Sequence, residues 1–267
     1  MNESLFDIFL LILSGCIGGF ISGLLGVGGG IIFVPILDYF LIKKGIETRD
    51  LVPSILANSF FAIFVSGIKG SIPAFKSNSI HIRSLIVVGS SAIIGGIITT
   101  SLINSGEWYS PAIFKIIFCA LLIFTLIKTL IHIQTTSGVL TDKLGLAIGL
   151  ITGAIAGLSG LGGGIIMVPL FMMLGHMNIK QASTLSLAII PILVFPNLVF
   201  YAISQPVHSL YGSTGHLVWP VVIPIIIGVL FTVKAGVNTA NKLSTKIIKI
   251  IFAGFVFLTI LRILTTV

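Results

Sequence analysis

Two short stretches hold the residues best placed to do chemistry, and they would do it through the backbone. Gly26-Val27-Gly28-Gly29-Gly30 and Gly160-Leu161-Gly162-Gly163-Gly164 each lie inside a long apolar run. Consecutive glycines weaken a helix interior by about 1 kcal/mol each relative to alanine. Each stretch therefore predicts a break, with a new helix starting at Ile-Ile-x-Val-Pro. The start of a helix presents unpaired N–H groups and the positive end of the dipole, which attract an anion. Glycine also lets a ligand approach the main chain closely. Gly28, Gly29, Gly30, Gly162, Gly163 and Gly164 are thus candidate anion-binding positions. Close helix packing is the competing role, and it suits the flanking Gly15, Gly19, Gly23 and Gly149, Gly153, Gly157, spaced by four.

Few side chains in the apolar runs can assist. Asn58, Ser59, Thr184, Ser186 and Asn197 are the best candidates. Uncharged donors suit an anion that must be released again. Interhelical hydrogen bonding is their alternative role. Asp38 is the one acid beside an apolar run with a capacity to carry a coupling proton. Lys115 and Lys249 read as anchors, and Lys234 as a residue reaching the interface. Pro53, Pro191 and Pro196 free nearby carbonyls and can shape a cavity.

Other chemistries lack their parts. Neither glycine stretch carries the Lys-Ser/Thr of a phosphate loop, and no strand precedes it. Gly157-Leu158-Ser159-Gly160 resembles the GxSG of intramembrane serine proteases, but His176, His208 and His216 fall in polar gaps. Cys16 and Cys119 stand apart from each other and from histidine, which argues against a metal site or a disulfide. No catalytic residue and no cofactor is expected.

The elements that must position these residues follow from composition. Of 267 residues, 56% are hydrophobic and 8% charged, with a mean hydropathy of +1.19. An average soluble domain carries about 25% charge. A soluble enzyme, a disordered chain and a nucleic-acid module are thereby excluded. The net charge of +8 sits mostly in short gaps between apolar runs, where it orients a membrane chain. Apolar runs cover 5–42, 51–68, 84–103, 111–131, 144–175, 182–203, 217–233 and 247–266. Helices are the structures that satisfy the backbone over such lengths in lipid. The start of the chain has no basic n-region, so the first run is expected to persist in the mature protein.

The two glycine stretches are also an internal repeat. Gly23 to Pro35 matches Gly157 to Pro169 at ten of 13 positions, at an offset of 134. At the same offset Lys115-Ile116-Ile117-Phe118 pairs with Lys249-Ile250-Ile251-Phe252. The expected fold is an all-α polytopic membrane protein of two homologous halves with broken helices. Residues 1–134 form the first transmembrane repeat, residues 135–267 the second, and together they make one transporter domain. If each broken run makes two passes, each half has five segments and the halves are inverted. If it makes one, each half has four and they are parallel. Lys and Arg then divide ten against five, or nine against six, by side. Both obey the positive-inside rule, and run length favours five. The chain thus has about eight to ten membrane segments.

The doubled Gly-Gly-Gly-Ile-Ile-x-Val-Pro motif resembles the sulfite exporter TauE/SafE family. Ala182-Ser183-Thr184-Leu185-Ser186-Leu187 resembles that family's Ala-x-x-Thr-Ser-Leu pattern, with Leu185 where threonine is usual. Asn58-Ser59-Phe60 aligns with it in the first half. The resemblance spans the chain. It implies a multi-pass plasma-membrane transporter moving sulfur-containing or other organic anions, and the Leu185 departure argues against fixing sulfite as its substrate. The partners expected are a small anionic solute, the lipid bilayer and, for the assembly, a second copy of the chain in a homodimer. Export by alternating access, driven by membrane potential, is the expected mechanism, and an anion channel is the alternative.

Overall fold

The computed structural model describes residues 5–77, 80–105, 109–130, 140–208 and 212–248, with scattered positions as far as 257. Nine helices and one short hairpin are defined there. They are α1 (Leu5–Leu25), α2 (Gly30–Lys43), α3 (Thr48–Lys76), α4 (Ile82–Ser105), α5 (Pro111–Leu130), α6 (Asp142–Ser159), α7 (Gly164–Met173), α8 (Ile179–Ile203), β1 (Ser213–Thr214), β2 (Leu217–Val218) and α9 (Trp219–Lys242). Six are long and apolar enough to cross a membrane. Lys249 lies outside the described residues. The protein is an all-α polytopic membrane protein.

Both long apolar runs break at their glycines, between α1 and α2 and between α6 and α7. Gly26, Gly28, Gly29 and Gly160, Gly162, Gly163 all take positive φ, between 66° and 82°. An L side chain there would strain the backbone. The breaks are sharp reversals rather than kinks. Lys43 at the end of α2 donates to both Asp7 carboxylate oxygens at the start of α1, at 2.7 and 2.9 Å. A straight helix would hold those residues about 54 Å apart. In the second break, Leu140 before α6 packs against Gly175 after α7. Each run is thus a hairpin, with a long arm and a short one.

The directions of the remaining helices follow from their contacts. Side A is the face where α1 begins, and side B the opposite one. α3 runs from A to B and pairs antiparallel with α8. Phe60 meets Tyr201, Phe64 meets Phe195, and Gly67 lies on the Pro191 ring. α1 runs parallel to α9, with Gly15, Gly19 and Gly23 against Ile225, Val229 and Val233. α4 runs parallel to α6, where Gly149, Gly153 and Gly157 meet Val88, Ala92 and Gly96. A Cβ on Gly153 would lie 2.0 Å from the Ala92 carbonyl oxygen, so these backbones touch. Small residues make this approach possible, and packing holds membrane helices together where water cannot. Arg83 and Asp142 join α4 to α6 at side B. α6 to α9 therefore retrace α1 to α4 in the opposite sense.

The core sits where α3 and α8 cross, around Phe60, Ile63, Ile190, Leu193 and Tyr201, each fully buried. Apolar side chains such as Leu5, Ile86, Ile116 and Phe231 project outward, as a lipid-facing surface requires.

Candidate functional site at the crossed helix breaks

The two breaks meet at the centre of the molecule. A Cβ on Gly30 would lie 2.7 Å from Leu161 Cα, and one on Gly164 2.8 Å from Val27 Cα. These contacts are reciprocal, because Gly30 and Gly164 differ by 134 in number, as do Val27 and Leu161. Each break also folds back on its own long arm, Gly29 beside the Gly18 carbonyl and Gly163 beside that of Thr152. Ile63 on α3 touches Gly28, Gly30 and Gly162, while Ile190 on α8 touches Gly28 and Gly164. All ten residues of the two breaks are buried.

The polar groups of the breaks are unevenly satisfied. Ser183 donates to the Leu25 carbonyl at 2.8 Å, Ser59 to the Gly160 carbonyl at 2.7 Å, and Ser66 to the Gly28 carbonyl at 3.1 Å. Serines thus take carbonyls. The amides of Gly28, Gly29 and Ile31, and of Gly162, Gly163 and Ile165, donate to no carbonyl or side chain among the described residues. Gly29 and Gly163 are the N-caps of α2 and α7, and neither helix start has a side-chain cap. A buried amide without an acceptor is destabilising by about 1–3 kcal/mol. The centre therefore presents free amides and positive dipole, which an anion would satisfy, while the Gly26, Val27, Leu161 and Gly162 carbonyls also accept no hydrogen bond among the described residues.

The other candidates divide in place. Ser186 is fully buried, and its hydroxyl has no hydrogen-bond partner. It lies on the α8 face between Ser183, which packs on Gly26, and Ile190, which packs on Gly28 and Gly164. Thr184 is half-buried and lines a cleft of about 430 Å³, a volume that includes its open mouth. The cleft lies between the side-B ends of α1, α3, α8 and α9, with Lys180 and Asn241 at its mouth and Gly23, Leu24 and Ser183 near the first break. Asn197 is buried at the α4–α8 contact, where it accepts from Thr100 at 2.9 Å. Asn58 faces side A rather than the breaks. It donates to the Ser54 and His216 carbonyls, at 2.7 and 3.1 Å, and accepts from the Val218 amide at 3.0 Å.

Those last contacts belong to a plug. Ahead of α9, the β1–β2 hairpin folds back between α3 and α8 at side A. Gly215 packs on the carbonyls closing α8, and the His216 amide donates to the Tyr201 carbonyl at 3.1 Å. The buried Asp50 carboxylate at the start of α3 accepts the Val207 and His208 amides at 3.0 and 3.1 Å. His216 is itself buried, and that burial holds its imidazole below the ordinary 6.5, opposed by the Asp50 charge. Asp50 and His216 carried no periodic signal in the sequence. Ser66 did, since it lies two turns from Ser59 on the same face of α3. Asp38 pairs with Lys115 at 3.4 Å, joining α2 to α5, and its second oxygen is buried without a partner.

Six membrane-length helices around two buried, back-to-back breaks define a multi-pass membrane protein of broken-helix transporter type. The family model described as sulfite exporter TauE/SafE matches residues 11–263. The chain belongs to the sulfite exporter TauE/SafE family and is a membrane transporter rather than an enzyme. It is 30% identical over 257 residues to a probable membrane transporter protein of Haemophilus influenzae, covering 93% of this chain and 94% of that one. A probable membrane transporter protein of Methanocaldococcus jannaschii is 28% identical over 257 residues, with 92% and 91% coverage. The probable membrane transporter protein YunE of Bacillus subtilis is 26% identical over 265 residues, with 91% and 92% coverage.

Proposed function

We propose that the protein is a secondary transporter that exports a small anion of sulfite or organosulfonate type by alternating access. One observation carries this reading. The amides at the starts of α2 and α7 are free and sit at the positive ends of two helices, so the centre offers donors to an oxyanion. The family name adds the sulfur chemistry, and Gly28, Gly29, Gly30, Gly162, Gly163 and Gly164 are the positions assigned to bind.

The two halves, 1–134 and 135–267, act as inverted repeats that rock against each other around α3 and α8. The reciprocal break contacts and the opposed directions of α1 and α6 support this. So does the one-sided access. A plug covers α3 and α8 at side A, while the cleft opens at side B. A carrier alternates between such states, whereas an open channel would need both ends clear at once. Side B has eight of the described Lys and Arg residues (Lys69, Lys76, Arg83, Lys143, Lys180, Lys234, Lys242, Lys246) and side A four (Lys43, Lys44, Arg49, Lys115). Side B is therefore cytoplasmic by the positive-inside rule, and the cleft faces the cell interior.

Export of an anion from a negative interior needs no coupling proton. The potential supplies about 2.3 kcal/mol per charge per 100 mV. In proteoliposomes, efflux of labelled sulfite or isethionate, both net anions at neutral pH, should accelerate when the inside is made negative. Flux indifferent to the imposed potential would contradict electrogenic export.

A further inference from the structure

We infer that the solute is bound once, at the first break, and that the Ser186 hydroxyl is the side-chain donor that fixes it there. The second break is then a structural copy, whose counterpart serine, Ser59, is committed to the Gly160 carbonyl. This assignment rests on the anion reading above and names which of two similar sites is used.

Within α3 and α8 the equivalent positions differ by 127, because Ile63 and Ile190 make matching contacts with the breaks. Ser59 and Ser186 are therefore counterparts. Ser59 is fully engaged, donating to the Gly160 carbonyl of the second break. Ser186 shares the α8 face of Ser183 and Ile190, is fully buried, and donates to nothing among the described residues. A buried hydroxyl without a partner is destabilising, and its presence needs a ligand to account for it. The α8 face that carries it packs on Gly26 and Gly28, the stretch that ends in the free amides of Gly28, Gly29 and Ile31 at the start of α2, a helix of 14 residues. The combined set is three amides, a helix N-terminus and one hydroxyl, all donors. That set fits a compact oxyanion with several acceptor oxygens, such as a sulfonate or sulfite group.

Access singles out the same break. The cleft from side B reaches Gly23, Leu24 and Ser183, and Ser183 packs on Gly26 and bonds to Leu25. The cleft stops short of both breaks and adjoins the first through Gly23, Leu24 and Ser183. Thr184 and Ser183 would pass the solute inward from the mouth. Rotation of Ser183 away from the Leu25 carbonyl would open the last step.

The test is binding of sulfite and of taurine to the purified full-length protein, by calorimetry, with Tm measured on the unliganded samples. Ser186→Ala should weaken binding about tenfold, the size of one charge-assisted hydrogen bond. It should leave Tm unchanged or slightly raised, because the hydroxyl has no partner to lose. Ser186→Cys, which keeps the volume with a weaker donor, should fall between. Ser59→Ala should lower Tm and leave the binding constant within twofold. Unchanged affinity in Ser186→Ala, or a larger loss of affinity in Ser59→Ala, overturns the assignment. If the wild-type protein binds neither sulfite, taurine nor a carboxylate such as acetate, the anion reading itself fails, which is a different result.

Discussion

At the scale of single residues, the molecule separates polar side chains that hold it together from those left free to act. Asn58 belongs to the first group. Two of its three hydrogen bonds, to the His216 carbonyl and from the Val218 amide, tie the plug to α3, and the third returns to the Ser54 carbonyl within α3. Asn58→Ala should destabilise by about 1–3 kcal/mol, read as a fall in Tm, because the Val218 amide loses its acceptor. Asn58→Asp should rescue only part of this, since it keeps the acceptor and loses the donor. His216 makes the plug pH-sensitive. Its folded pKa is depressed, so the unfolded chain takes up a proton first as pH falls. Its stabilising contribution is complete above the ordinary 6.5 and is lost as pH drops from there towards the folded value. Tm should therefore fall below pH 6.5, and His216→Gln should flatten that part of the profile. An unaltered profile in the variant would assign the pH dependence elsewhere.

Helix elements show two distinct uses of glycine. In the α1–α9 and α4–α6 pairs, glycine removes side-chain volume so that backbones touch. Gly153→Leu should abolish folding or lower Tm sharply, since even a Cβ would meet the Ala92 carbonyl. Gly45→Ala is the contrast. It also has positive φ, at 76°, but nothing lies within 4 Å, so its effect should be only about 1–2 kcal/mol. At the breaks, glycine supplies the left-handed backbone that turns a helix into a hairpin. Both uses were legible in the sequence. Spacing by four predicted the packing stripes, and the consecutive glycines in over-long apolar runs predicted the breaks. Where the chain went after each break was not legible. A kink and a reversal leave the same glycine pattern, and the choice depends on tertiary contacts such as Asp7 with Lys43. In a variant lacking Cys16 and Cys119, paired Asp7→Cys and Lys43→Cys should cross-link with a short bismaleimide. A straight pass would leave them uncoupled.

On the scale of the whole molecule, the repeat motif located the centre correctly but could not say which polar residues share it. Gly30 and Gly164 meet the opposite break because α3 and α8 cross there, a long-range fact with no local signature. Thr184 and Asn58 sit one position apart in the motif, Asn58 matching Leu185, yet face opposite ends, one in the side-B cleft and one under the plug. Ser186 lies between them, unpartnered. The long 204–218 connection has no counterpart between α3 and α4, where 77–81 is short. That difference sets the α8–α9 connection apart from the α3–α4 one and places the hairpin against α3 and α8 at side A. A transporter with this arrangement should expose Thr184 to the cytoplasm and shield Tyr201 from outside until the plug lifts. The central claim is that a small oxyanion crosses by occupying the crossed breaks in alternating states. Counterflow of labelled sulfite or taurine in proteoliposomes tests it most directly. The account predicts saturable uptake accelerated by unlabelled solute on the far side, and lost in Gly28→Val. Flux that rises linearly with concentration, without acceleration from the far side, would contradict it.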